Sequence, residues 1–319
     1  MTRAAEPGHM ESLNRMAIEL VDEAIDFADE LNVAVHELDD EASVLDFGVE
    51  VESGLEAGLL LAEIQTAGLA TVQARADEVA GTPRPHVELT TDHPGLALLG
   101  SQKAGWELSV GEFEGLGSGP ARALVAAEGE FDRLGYRDDF DLTTLSVEAT
   151  ELPDEAVADH IADRTDVEPS AVFLPVYATG SVAGSVTAAA RAAELATFRL
   201  SELGYDPTEV VTAVGSAPVP PVSYDEAEAI GRTTDAVAYG GRVHLQVGEE
   251  FDRFDEVISS AADEYGRSLV EVFDDADWEF EALPEDLIGP AEVTVDVLGG
   301  STYTLGDTSE DVLAESFDL

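Results

Sequence analysis

Apolar residues recur every third or fourth position between Met10 and Leu31, at Met16, Leu20, Ala24, Ile25, Phe27 and Ala28. That spacing predicts an amphipathic helix closed at Asn32. The pattern then shortens to that of strands. Val33 to Leu38 and Ser43 to Val51, joined by the acidic turn Asp39-Asp40-Glu41, read as a hairpin. Gly54 to Thr66 is helical again and closes at Gly68. From Thr71 to Val110 the chain is strand-like but broken by Gly and Pro, with segments at Val87 to Thr90 and Trp106 to Val110. Gly115 to Pro120 reads as a glycine-rich turn. Pro120 stands at the first position of a helix expected to reach Leu134 and stop at Gly135. Leu142 to Val147 is a strand, and Pro153 to Arg164 a helix with acids in its first turn.

The second half continues the mixture. Ala171 to Ala178 is a buried strand, and an alanine-rich helix runs from about Val182 to Leu203, stopped by Gly204. Val210 to Val214 is a strand, followed by the stiff Ala217-Pro218-Val219-Pro220-Pro221 segment. A helix at Asp225 to Gly231, strands around Val237 and Val243, a helix near Phe254 to Glu264, and strands at Ala291 to Val297 and Ser301 to Leu305 complete the chain. Strands and helices intermix without strict alternation, which favours an α+β fold in two subdomains over a doubly wound parallel sheet.

Composition changes the picture in one respect. Sixty-eight Asp and Glu stand against 15 Lys and Arg, a formal charge of −53, yet 45% of the 319 residues are hydrophobic. An ordinary core beneath so acidic a surface is strained by self-repulsion at low ionic strength. In about 1 M salt the Debye length falls to roughly 3 Å and the repulsion is screened. The acids are spread along the whole chain rather than gathered in a tail, which points to a salty cytoplasm rather than to a basic partner. No basic patch exists to neutralise phosphates, so nucleic acid is not expected as a partner. Cysteine is absent, which removes disulfides and thiolate metal sites. The polar start from Met1 to His9 carries no signal peptide, and the uncharged run Ala171 to Ala190 is interrupted by Pro175, Gly180 and Gly184. A soluble protein outside the membrane is expected.

In a chain so poor in cations, each one is conspicuous. Lys103 is the only lysine, set in the loop-like Gly100-Ser101-Gln102-Lys103-Ala104-Gly105-Trp106. A point charge on phosphate or carboxylate is one reading; a structural lysine on carbonyl groups is the other. The turn Gly117-Ser118-Gly119-Pro120, with Arg122 in the helix behind it, could hold an anion on free amides, or could be a tight turn only. It is neither a dinucleotide fingerprint, because Pro120 takes the third glycine's place, nor a P-loop. Arg191 and Glu194 share one helix face among Ala188, Ala189, Ala190, Ala192 and Ala193. Such pairs usually decorate the surface. A carboxylate in this apolar lining, however, is a candidate general base, with the guanidinium orienting it. The six histidines show no metal-ligand spacing, and His93 in Thr91-Asp92-His93-Pro94 reads as a turn residue, so no metal site is expected.

Taken in order, the Gly100 to Trp106 stretch, Gly117-Ser118-Gly119-Pro120-Ala121-Arg122, Gly180-Ser181 to Arg191 with Glu194, and Asp235-Ala236 to Tyr239-Gly240-Gly241-Arg242 resemble the methenyltetrahydromethanopterin cyclohydrolase family along nearly the whole chain. The resemblance implies two α+β subdomains over residues 10–319 with a pocket between them, preceded by an N-terminal extension at residues 1–9, and a homotrimer in the cytoplasm. It implies reversible hydrolysis of a 5,10-methenyl bridge on a pterin carrier to an N5-formyl product, with no cofactor, metal or nucleotide. The family's Arg-x-x-Glu pair, linked to catalysis, matches Arg191 and Glu194. From their charge and position, Ser101, Gln102, Lys103, Gly117, Ser118, Gly119 and Arg122 are expected to contact the substrate. Two positions depart from the family pattern: Thr234 precedes Asp235 where an asparagine is expected, and Phe47 replaces a cysteine. The rival readings are the same reaction on a folate carrier, a non-catalytic pterin-binding protein and, last, an NAD-linked oxidoreductase.

Overall fold

The computed structural model describes residues 11–39, 41–262, 265–275 and 288–319; the expected extension at 1–9 lies outside them. Two mixed sheets organise the chain. In the seven-stranded sheet the order is Ala34–Glu37, Ser43–Asp46, Val172–Tyr177, Ser146–Glu148, Phe113–Ser118, Ala104–Val110, with Thr143–Thr144 also pairing Val172–Tyr177. The six-stranded sheet runs Thr302–Gly306, Glu292–Val297, Arg242–Val247, Val210–Pro218, Thr82–Thr91, Thr71–Val79. This is the α+β architecture expected.

Strict alternation dictates the second sheet's faces. Val243, Leu245 and Val247 are buried on one strand and Val293, Val295 and Val297 on its parallel neighbour, while the residues between them face outward. Alanine covers this buried face because the approach is close. A Cβ on Gly215 of the sheet would meet the Ala193 nitrogen at 2.6 Å and its Cβ at 2.8 Å. Anything larger at Ala193 of helix Ala192–Glu202 would push the layers apart.

Several expectations change. The expected single helix from Val182 to Leu203 is two, Val182–Ala189 and Ala192–Glu202, broken where the Arg191 N–H turns back to the Ala188 carbonyl. The strand expected around Val237 is part of helix Glu226–Gly240, since Ala229, Thr233, Ala236 and Gly240 bury one helical face and Asp225 caps its start through the Glu228 N–H. The broken region after Thr71 is a long hairpin, Thr71–Val79 with Thr82–Thr91. The helix expected from Pro120 to Leu134 is divided into Ala121–Val125 and Gly129–Leu134, and the helix near Phe254 shortens to two single turns. Helices Leu269–Asp275 and Glu310–Ser316 had no counterpart in the pattern. Among the described residues no helix is long and apolar enough to cross a membrane.

Two differences bear on the site. Residues Gly95–Gln102, read in part as loop, form a π-helix whose last six residues are buried. Gly115 to Ser118 is not a turn but part of strand Phe113–Ser118. Its glycines serve packing: a Cβ on Gly115 would meet Val147 Cγ1 at 2.9 Å, and one on Gly117 would meet Leu145 Cδ2 at 2.9 Å. Of these three glycines only Gly119, at φ +117°, needs glycine for its backbone.

Candidate active site

A cleft of about 550 Å³ opens between the carboxyl ends of the first sheet's parallel strands and the helices Val182–Ala189 and Glu226–Gly240. Glu148 and Tyr177 are register partners at those strand ends, and both line it. From the helical side come Thr187, Arg191 and Thr233.

The helix break places Arg191 at the wall. Its Nη1 donates to the Gln102 carbonyl at 3.2 Å and to Glu194 Oε2 at 3.3 Å. Glu194, 2% exposed, lies one layer behind. Burial pushes the Glu194 carboxyl above the usual carboxylate range, against the pull of Arg191, Lys103 and Arg122. Burial likewise raises Tyr177, with the Glu148 carboxylate adding to it, so its hydroxyl stays neutral; Gln65 Nε2 donates to it at 3.2 Å. Arg191 stays charged: burial opposes it, but Tyr177, Glu194 and Glu148 outweigh burial and raise its pKa.

The other sequence candidates sit behind this wall rather than in it. Lys103 Nζ pairs with Glu130 Oε1 at 2.9 Å and lies over the Phe198 ring at 4.8 Å to its centroid. The Ser101 hydroxyl donates to the Gln65 carbonyl at 2.6 Å, and Gln102 Nε2 to the Ala190 carbonyl at 3.4 Å. Arg122 is fully buried and its donors are taken. It bonds the carbonyls of Leu99, Ser101 and Lys103 and the Glu128 carboxylate. It therefore ties down the carbonyls at the end of the π-helix, on both sides of Gln102. Gly117, Ser118 and Gly119 lie outside the cleft lining, although Gly115 and Leu116 are in it. Of the expected site residues, only Arg191 lines the cleft. Glu148, Tyr177, Thr179 and Thr233 escaped the sequence reading. The one signal of the first three, a place at or just after the end of a parallel strand, needs the strand pairing to be known, and Thr233 lies mid-helix with none. Among the described residues no group of three or more His, Asp or Glu is placed to hold a metal ion.

The model of the family described as "Cyclohydrolase (MCH)" matches residues 12–317. The chain belongs to the cyclohydrolase family. It is 58% identical over 310 residues to the methenyltetrahydromethanopterin cyclohydrolase of Halobacterium salinarum, covering 97% of this chain and all of that protein. It is 38% identical over 314 residues to the enzyme of the same name from Methanosphaerula palustris, and 38% over 320 residues to that from Methanothermobacter marburgensis, again covering 97% of this chain and all of each relative. In this member of the cyclohydrolase family Arg191, with Glu194 behind it, thus sits in a cleft wall that also carries Glu114, Glu148 and Glu226.

Proposed function

We propose that the chain hydrolyses the 5,10-methenyl bridge of methenyltetrahydromethanopterin to the N5-formyl product, reversibly, in a salt-rich cytoplasm, as a homotrimer of chains each built from two subdomains. The observation that carries the reading is Arg191 at the cleft wall paired with the buried Glu194 behind it, in a chain whose full-length relatives bear the name of that activity. The bridge is an amidinium-like cation, and the cleft's carboxylates suit it electrostatically.

Water attacks the bridge carbon and Glu194 takes one of its protons, while Arg191 orients the carboxylate and steadies the oxygen. The bound hydroxyl then closes to the formyl carbonyl, the carbon–N10 bond breaks, and its electron pair takes up a proton at N10. One proton is released overall. The chain's own groups suffice for each step, with no metal, nucleotide or other cofactor. The raised pKa of Glu194 places the acidic limb of the rate profile above the usual carboxylate range, since the base must be ionised.

The test is loss of the methenyl chromophore in molar KCl, with the methanopterin and folate carriers offered separately. Turnover of the former is expected, and Glu194→Gln should lower kcat by roughly 100-fold or more with an unchanged fold. Near-normal turnover in that variant would refute the assignment of the base. The relatives' names do not favour a folate carrier or a non-catalytic role.

A further inference from the structure

A second cavity, about 610 Å³, adjoins the first, and Thr150, Thr179 and Glu226 line both. Both its walls are pinned. On one side the buried Asp46 carboxylate accepts the N–H groups of Gly48, Val49, Glu50 and Val51 at 2.7–3.2 Å, fixing that loop. On the other, the Ser223 carbonyl packs so closely on Gly180 that a Cβ there would lie 2.2 Å from it. The Ser223 hydroxyl donates to Glu228 and receives the Asp225 N–H. This turn presents Tyr224, which lines the cavity yet is 92% exposed, the most exposed of the large hydrophobic side chains among the described residues. An aromatic ring held in water at the mouth of a preformed cavity has no packing role in the isolated chain. Valines 49, 51, 182 and 222 add apolar surface. None of the sixteen lining residues is Lys, Arg or His, whereas Glu50, Glu52 and Glu226 are acidic. An anionic group is therefore unfavourable in this space and would have to project into solvent, while the valines and the Tyr224 ring suit an apolar occupant.

Building on the cyclohydrolase reading, we infer that the second cavity receives the uncharged aryl arm that a pterin carrier bears on N10, and that Tyr224 covers this arm as an aromatic plate. Tyr224 then supplies binding common to ground state and transition state, so it acts on KM and not on kcat.

The experiment measures KM and kcat in molar KCl for the unaltered protein, Tyr224→Ala and Tyr224→Phe. Two substrates are used: methenyltetrahydromethanopterin, and a methenyl-tetrahydropterin with methyl on N10 in place of the aryl arm. Tyr224→Ala should raise KM for the full carrier roughly three- to tenfold, the range an aromatic pair supplies, with kcat held. Tyr224→Phe should keep the unaltered KM, and the N10-methyl analogue should have one KM with all three proteins. An unchanged KM in Tyr224→Ala, an equal rise with both substrates, or a loss confined to kcat would overturn the inference and leave the cyclohydrolase reading standing. Absence of turnover by the unaltered protein would overturn that reading, and the inference with it.

Discussion

Replacing Arg122 by methionine keeps an unbranched apolar stem and removes the buried charged head with its donors. The three carbonyls it holds, those of Leu99, Ser101 and Lys103 at 2.7–3.3 Å, would lose their charged partner, and Glu128 would lose its own. Hydrogen bonds to a charged group contribute about 1.5–3 kcal/mol each, and removing one member of a buried pair costs about 3–5 kcal/mol. The Glu128 side chain is 20% exposed and can rehydrate, which discounts its share. A loss of about 3–5 kcal/mol is therefore expected for the whole substitution. Urea unfolding in molar KCl, followed by tryptophan fluorescence, would read it as a fall in midpoint at constant slope. Turnover should also fall under conditions where the variant is folded, because Ser101 and Lys103 flank the Gln102 carbonyl that holds Arg191. A stability loss below about 1 kcal/mol would refute the argument, since a typical neutral hydrogen bond already contributes that much.

Two further outcomes follow from buried groups and close contacts. Burial raises Asp235 to about 7, against the opposing pull of Ser316 and of the Leu269 N–H and with Glu271 adding to it, so the folded state retains a proton that the unfolded chain releases near pH 4. Stability on this account is highest below pH 4, declines as pH rises, and levels off above 7; about 2–3 kcal/mol should vanish between pH 5 and 8. Asp235→Asn should flatten that slope, and an unchanged slope in paired unfolding curves would contradict it. Gly184→Ala would set a Cβ 2.2 Å from the Ala178 carbonyl and 2.7 Å from that of Thr179, backbone atoms that cannot step aside. A loss of about 1–3 kcal/mol in unfolding experiments is expected, together with a raised KM, because Thr179 lines both cavities.

The sequence was most legible where one face alone is buried. The alternation in Ala291 to Val297 and the first helix's spacing both led to the right elements, since burial on one side leaves a period in the chain. Legibility failed where backbone approach, rather than period, chose the residue. Gly115 and Gly117 looked like a turn because glycine signals turns, yet they are strand residues squeezed by Val147 on the next strand and by Leu145 just before it. Val237 looked like a strand residue because it is β-branched, and tertiary packing overrode that preference. In the site, scarcity of cations drew attention to Lys103, Arg122 and Arg191, and all three do lie close to one another around Glu194. Scarcity did not reveal which of them faces the cleft. A guanidinium that caps carbonyls and one that meets a ligand are the same letter in a sequence, and only the surrounding layers distinguish them.

The π-helix at Gly95–Gln102 gives this segment an unusual intolerance of length. A side-chain change there alters one contact. Loss of a single residue would instead let the wider coil relax to an ordinary α-helix, so that its carbonyls exchange i→i−5 for i→i−4 partners and change direction. The Gln102 carbonyl would swing away from Arg191, and the carbonyls clasped by Arg122 would point elsewhere. Descendants of this chain can therefore explore residue identities in the segment far more freely than they can explore deletions, and its number of residues is itself part of the active site's specification.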